Sequence, residues 1–295
     1  MKNITAIGEI LFDVYPDKKK LGGAPFNFIY HIINLTGRGN FVSKVGGDEL
    51  GNEIFMFLKA HNISTDYVQI DNDKKTGVAK PTLNEKKVPE WVIEKERAYD
   101  FIENNSKLSK LINQETDCLY FGTLAQREKV SRETIQKFFS NNIKHFCDLN
   151  IRQNFYSKEI LSESLKAADV LKLNSDEIKL INKELFNSEI TLKDLPKKII
   201  DEFEIDLLCL TKGEDGASLF KDGEINSIKI PAEKIVDTVG AGDAYASILC
   251  LGYLNNWELQ KINELASKFA NEIIKVNGAL PEDGTVYSSF KEKMS

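Results

Sequence analysis

The chain has 295 residues, a formal charge of −6, 42% hydrophobic residues and 28% charged ones. That length suits one large α/β unit, and the composition is globular and not disordered. The acidity argues against a general nucleic-acid or membrane-surface binder, while leaving room for an anionic nucleotide held by a local loop.

The N-terminal stretch MKNITAIGEILFDVYP is broken by Glu9 and Asp13, so it does not read as a signal peptide, and no apolar run approaches membrane-spanning length. Cys118, Cys147, Cys209 and Cys250 are widely spaced in apolar segments with no CxxC pair. They are expected as reduced core thiols of a cytoplasmic protein. His31, His61 and His145 are isolated and form no metal-ligand pattern.

Ile4 to Phe12 reads as a first buried strand. LGGAPFNFIYH then places Gly22 and Gly23 before a helix predicted over Ala24 to Leu35 by Phe28, Ile29, Ile32, Ile33 and Leu35. Phe41 to Val45 is the next strand and Glu49 to His61 the next helix. From about Asp71 to Asp100 the pattern changes. Gly77 to Leu83 and Val88 to Glu94 flank the polar NEKK and predict a β-hairpin inserted between α/β units. A hairpin alone is marginal in water, so this one is expected to pack on the body or on a second subunit, as a lid or a structural flap.

The alternation then resumes, with strands at Cys118 to Thr123, His145 to Leu149, Val170 to Leu173 and Leu207 to Thr211. Helices are predicted at Arg132 to Ser140, Glu159 to Ala168, Glu177 to Leu185, Leu195 to Glu202, Ala244 to Leu254 and Glu258 to Val276. The whole is one α/β body over 1–295 with a largely parallel sheet and a small lid at about 71–100.

Ahead of the last two helices an apolar run, Ile228 to Ile230, leads into DTVGAGDAYAS, Asp237 to Ser247. Gly240, Ala241 and Gly242 stand directly before Asp243 and a run of helix formers, which predicts a glycine loop opening onto a helix N-terminus. Amides there lack intrahelical partners and carry partial positive charge, so an anion such as a phosphoryl group can sit against them. A carboxylate beside such a site repels a merely bound phosphate. It makes sense as a base that takes a proton from an attacking hydroxyl while the amides stabilise the charged transition state. Taken alone, the loop equally suits an aspartate that complements a helix dipole beside glycines that only turn the chain. No Walker A stretch is present, and Tyr245 stands where a dinucleotide fingerprint needs Gly or Ala.

DTVGAGDAYAS resembles the C-terminal signature of the ribokinase-like (PfkB) carbohydrate kinases, nearly unbroken over eleven positions. The resemblance implies a ribokinase-like fold, with Asp243 as general base and Gly240, Ala241 and Gly242 as the anion hole. LGGAPFNFIYH, preceded by GEILFD, is similar to the family's sugar-binding signature. It implies sugar contacts from Asp13, Gly22, Gly23 and Asn27, with Lys44 of SKVGGDELG also reaching the substrate. Asn174 and Glu177 in LKLNSDE match the NxxE motif, which implies water-mediated magnesium, although NSDE before an apolar run is also an ordinary helix cap. LTKGEDGA resembles the nucleotide loop, placing Thr211 and Gly213 along ATP. A monovalent cation, potassium in many relatives, is implied near Asp237 and Val239.

CDLNIRQNFYS, with Asn150 and Arg152, looks like a block of fructokinases and ketodeoxygluconate kinases. YFGTLAQR, ERAYDFI and GALP look like bacterial fructokinases, with Tyr99 where those carry Trp. The resemblance therefore implies an ATP-dependent sugar kinase, with fructose as the leading acceptor and 2-keto-3-deoxygluconate, ribose or another sugar as alternatives. It implies sugar and ATP as partners, no nucleic acid or membrane, and a homodimer through the lid. A catalytically silent sugar-binding regulator is the reading from another class.

Overall fold

The structure is a computed structural model that describes residues 2–83, 89–140, 142–188, 190–231, 234–281 and 284–294. The expected first strand is two strands. β1 (Ile4–Ile7) and β2 (Leu11–Val14) are separated at Gly8, whose φ of 149° is one that residues with a side chain rarely adopt. A Cβ there would stand 2.7 Å from Pro25 Cγ, so the bend is reserved for glycine.

β3 (Lys19–Gly22) folds back on β2 and leads into α1 (Ala24–Thr36), which starts with Pro25 in its first turn. β4 (Asn40–Gly46), α2 (Glu49–Ala60) and β5 (Val68–Asp71) follow. β6 (Gly77–Leu83) and β7 (Pro89–Ile93) pair antiparallel as the expected hairpin, whose NEKK turn lies outside the described residues. Next come α3 (Ser106–Lys110), β8 (Cys118–Phe121), α4 (Lys129–Gln136), β9 (Lys144–Asp148), α5 (Lys158–Ala167) and β10 (Val170–Asn174). The chain ends with α6 (Ser175–Phe186), α7 (Leu195–Phe203), β11 (Leu207–Thr211), β12 (Ala217–Lys221), β13 (Glu224–Ile228), α8 (Ala241–Leu254), α9 (Leu259–Ile273) and α10 (Thr285–Met294).

Among the described residues the strands form two sheets. The larger runs β13-β12-β11-β10-β9-β8-β1-β4-β5 and is parallel except for the β12–β13 hairpin at one edge. The smaller runs β3-β2-β6-β7. It therefore joins the expected hairpin to residues 11–22, a contribution that the single-strand reading of Ile4 to Phe12 had hidden.

Strand side chains alternate between faces, and both faces of the large sheet are covered. On β8, Cys118 and Tyr120 enter the core built with α1, α2, α8, α9 and α10, while Leu119 and Phe121 enter the core built with α3 to α7. The same alternation places Phe146 on the α1/α8 side and Cys147 on the other. Asp148 and Lys172, register partners on β9 and β10, are the charged residues that follow on the α1/α8 side. All four cysteines are buried and free. Among the described residues no helix is long and apolar enough to cross a membrane.

Candidate active site

Between the two sheets, over the C-terminal ends of β9, β10 and β11, lies a cleft of about 530 Å³. Open α/β sheets bind ligands at that end. Of the residues expected from sequence, Asp13, Gly22, Gly23, Asn27, Arg152, Asn174, Glu177, Thr211, Val239, Gly240, Gly242 and Asp243 line it. Segments more than 200 residues apart in the chain are thus brought together.

Asp243 stands in the first turn of α8, and Asn27 in the first turn of α1 donates its Nδ2–H to Asp243 Oδ2 at 2.7 Å. Burial pushes the Asp243 carboxyl up to about 6, with the charge of Asp148 adding to it. The Asn27 hydrogen bond, Lys172 and Arg152 pull the other way. Because a carboxylate can only accept, the Asn27 amide is fixed with its nitrogen toward Asp243. Its Oδ1 is buried and without a partner among the described residues, which leaves an acceptor for a hydroxyl.

The loop before α8 is turned by Gly240, at φ 81°, packed so closely on Ala279 that an added Cβ would lie 2.4 Å from the Ala279 Cβ. Gly242 lies inside α8 with ordinary helical backbone, so openness and not conformation is what its missing side chain provides. A Cβ there would face Lys172 Nζ at 3.4 Å. Ala241 does not line the cleft, and its amide donates to the Thr238 carbonyl at 3.4 Å.

Lys172 and Asp148 escaped the sequence reading. Lys172 Nζ donates to both Asp148 oxygens at 2.9 Å, and the Tyr120 hydroxyl donates to Asp148 Oδ2 at 3.0 Å. Burial alone would lower the lysine pKa, but Asp148, Glu177 and Asp243 outweigh it and the ammonium stays charged. The signal was present: a lysine inside the apolar strand VLKLN and an aspartate ending HFCD are charges where a buried parallel strand should have none. Glu9 was also missed as a site residue. It lines the cleft with Oε2 unpartnered among the described residues, and burial pushes its carboxyl up to about 7.

Asn174 and Glu177 form a full capping box at the start of α6. Asn174 Oδ1 accepts from the Asp176 and Glu177 amides at 2.9 and 3.0 Å, and Glu177 Oε2 accepts from the Asn174 amide at 2.7 Å. Glu177 Oε1 accepts from the Ile151 amide at 2.8 Å. Each carboxylate oxygen accepts one of these bonds and keeps a lone pair, and Glu177 lines the cleft, which fits contact with a hydrated ion and not an inner-sphere cage. Burial raises this carboxyl, reinforced by Asp148 and opposed by Lys172 and the two amides.

Four expectations meet a different geometry. Lys44 does not line the cleft; its buried ammonium pairs with Asp71 at 3.0 Å and Glu103 at 3.5 Å, so it is spent on holding β4 to its surroundings. Gly213 also lies off the cleft, with φ 57° and open space where a side chain would be, although neighbouring Thr211 lines it. Asp237 does not line the cleft either. Its Oδ1 accepts from the Val239 amide at 3.1 Å, and its Oδ2 accepts from the Gly278 amide at 3.0 Å and from Lys20 Nζ at 2.9 Å. Of the blocks resembling fructokinases, Tyr99, Asp100 and Arg127 pack on one another, with Arg127 bound to both Asp100 oxygens at 2.7 and 2.8 Å. Of these blocks, Leu124, Asp148, Asn150, Arg152, Gly278 and Ala279 line the cleft.

Comparison with known proteins bears on the family and the fold. The pfkB family carbohydrate kinase pattern matches residues 1–283. The chain is 27% identical over 282 residues to a probable fructokinase-7 of Arabidopsis thaliana, covering 86% of this chain and 78% of that one. It is 27% identical over 314 residues to an ATP-dependent 6-phosphofructokinase of Thermoanaerobacterium thermosaccharolyticum, covering 99% and 94%. Among solved structures, a double-mutant fructokinase from Vibrio cholerae O395 with fructose, ADP and potassium superposes with a TM-score of 0.79. That match has 22% identity and covers 98% of each chain, and it bears on fold alone. The architecture is the ribokinase-like one.

Proposed function

Since this chain belongs to the pfkB family of carbohydrate kinases, we propose that it moves the terminal phosphoryl group of ATP to the primary hydroxyl of a sugar. Fructose is the leading acceptor and fructose 6-phosphate the product. The observation that carries this reading is the Asn27–Asp243 pair at 2.7 Å, set at the mouth of an open glycine loop.

In this reading Asp243 takes the proton of the attacking hydroxyl, and a carboxyl near pH 6 is ionised at neutral pH yet basic enough to do so. Asn27 Oδ1, Asp13 and Glu9 hold the sugar hydroxyls. The amides about Gly240 and Gly242, with Lys172 behind them, stabilise the transferred phosphoryl group. Arg152, exposed at the rim, meets the phosphates or the sugar, and Asn174, Thr211 and the Glu177 end of α6 lie along ATP. Magnesium, when bound to ATP, neutralises phosphate charge; Glu177 and Asn174 would meet its water shell.

A monovalent cation at Asp237 and Val239 does not fit the residues present. Asp237 already accepts three hydrogen bonds, one of them from the Lys20 ammonium, and two unit charges about 4 Å apart repel by roughly 4 kcal/mol near a protein surface. The small sheet turns Leu11, Asp13, Ala79 and Ile93 to the cleft, and we place a homodimer contact on its other face. Four buried free thiols suit a cytoplasmic setting.

The test is ADP release measured over a panel of fructose, ribose, 2-keto-3-deoxygluconate and fructose 6-phosphate, the last because one relative is a 6-phosphofructokinase. Fructose should lead in kcat/KM by at least about tenfold, or about 1.4 kcal/mol. Another sugar in front would replace the acceptor and leave the kinase reading standing. Sugar binding without turnover of any panel member would favour a silent regulator.

A further inference from the structure

We propose that Lys20 is this chain's own monovalent cation: its ammonium stands between the two loops that form the floor of the glycine turn and makes that turn independent of potassium. The inference rests on the kinase reading above for its activity readout only.

Two loops meet under Gly240. One runs through Val236 to Gly240, the other through Ile274 to Ala279. They are joined by backbone bonds from Val236 and Asp237 to the Ile274 carbonyl at 2.8 and 3.2 Å, and by the packing of Gly240 on Ala279. Lys20 Nζ reaches between them, donating to Asp237 Oδ2 at 2.9 Å and to Asn277 Oδ1. Its stem crosses Gly278, where an added Cβ would lie 3.4 Å from Lys20 Cδ, and its ammonium lies 5.8 Å from the centre of the Tyr15 ring. The ammonium is therefore held by a carboxylate, an amide oxygen and an aromatic face, a set of partners that would equally suit a large monovalent ion.

The carboxylate it neutralises organises the turn. Asp237 accepts from the amides of Val239 and Gly278, one on each loop. Burial alone would raise this carboxyl, but Lys20 and the two amides outweigh it and hold it below the usual range. An alkali ion would supply the same neutralisation from solution, as an equilibrium. A tethered ammonium supplies it in every molecule and leaves no room for a second charge. Lys20 is thus a positioning residue that acts on phosphate through the shape of the Val239–Gly242 turn.

The experiment compares wild type with Lys20→Met, which keeps the length of the stem and loses the charge. Both are assayed at saturating sugar and MgATP, in potassium chloride or in tetramethylammonium chloride at equal ionic strength, with thermal melting recorded in the same salts. The wild type should show kcat within about twofold in the two salts, and Lys20→Met should lose at least about tenfold in tetramethylammonium. Potassium should restore most of that loss along a saturating curve, and raise the melting temperature of Lys20→Met by about 3 °C or more while leaving wild type unmoved. Strong activation of wild type by potassium would overturn the proposal, as would a Lys20→Met that folds and is not restored. If Lys20→Met fails to fold, the salt response of wild type decides. If neither protein turns over any sugar, the kinase reading fails and the melting series still decides the role of Lys20.

Discussion

Asn27 and Asp243 lie 216 positions apart in sequence, yet a single 2.7 Å hydrogen bond joins the first turn of α1 to the first turn of α8. It fixes the orientation of one amide and tunes one carboxylate. Its first consequence is a pH profile. The base must be ionised, and its carboxyl is pushed up to about 6, so kcat/KM should fall by about tenfold per pH unit below that value and level off above it. Asn27→Leu removes a donor that favours the ionised form, so its acid limb should move to higher pH. An unmoved limb would show that another group sets it.

Asp243→Asn keeps the shape and loses the proton acceptor. A fall in kcat of about 10²–10⁴-fold is expected, with little change in ATP affinity. The melting temperature should hold, because the variant removes a carboxylate that burial disfavours. Near-full turnover would end the assignment of the base.

The two glycines of the loop should separate. Gly242→Ala sits in regular helix and places its methyl 3.4 Å from the Lys172 ammonium at the cleft, so kcat should fall while the melting temperature changes little. Gly240→Ala must force a left-handed backbone and a clash with Ala279, and it should lose both activity and stability, the latter by at least about 1 kcal/mol. Equal melting temperatures for the two would contradict the packing described here.

Glu177→Gln leaves one acceptor oxygen where two amides now point, those of Ile151 and Asn174, so a stability loss of about 1–3 kcal/mol is expected. A role toward hydrated magnesium adds a second effect that capping alone does not produce. The magnesium concentration for half-maximal rate should rise several-fold with sugar KM nearly unchanged. An unaltered magnesium titration would leave Glu177 with the cap only.

Lys44→Met tests a correction. The buried ammonium pairs with the partly exposed Asp71 and does not line the cleft, so sugar KM should stay within about twofold while stability drops by about 1–3 kcal/mol. A large rise in sugar KM at unchanged stability would return Lys44 to the substrate.

Much of this was legible because period-2 and period-3.6 patterns are strong in buried elements. β6 and β11 have the predicted bounds, and α1 ends one residue later than expected. The single strand expected at Ile4 to Phe12 failed because apolar residues resume at Ile10 directly after the bend, and only Gly8 and Glu9 mark it. β13 was missed because an edge strand with exposed Ile225 lacks a clean apolar face, and β12, only five residues long and ending in Lys221, was missed with it. Their Asp222-Gly223 turn, left-handed at both residues, is nonetheless a hairpin signal. Motifs placed the cleft residues well when backbone or short side chains carry the role. They failed for Lys44, Lys172 and Lys20, whose long stems can end in any of several places that local sequence does not specify.

The small sheet is also not a cassette. Two of its strands are encoded between β1 and α1, ahead of the hairpin that completes it, and β2 lies hydrogen-bonded between β3 and β6. Excising residues 71–100 would not return a lidless core; it would leave β2 with a bare edge, the kind of surface that recruits other chains. Exchange of this region between relatives has to transplant both segments at once, and with them Asp13 and Lys20, so that in the roles proposed above acceptor choice and the setting of the phosphate turn travel as one heritable unit.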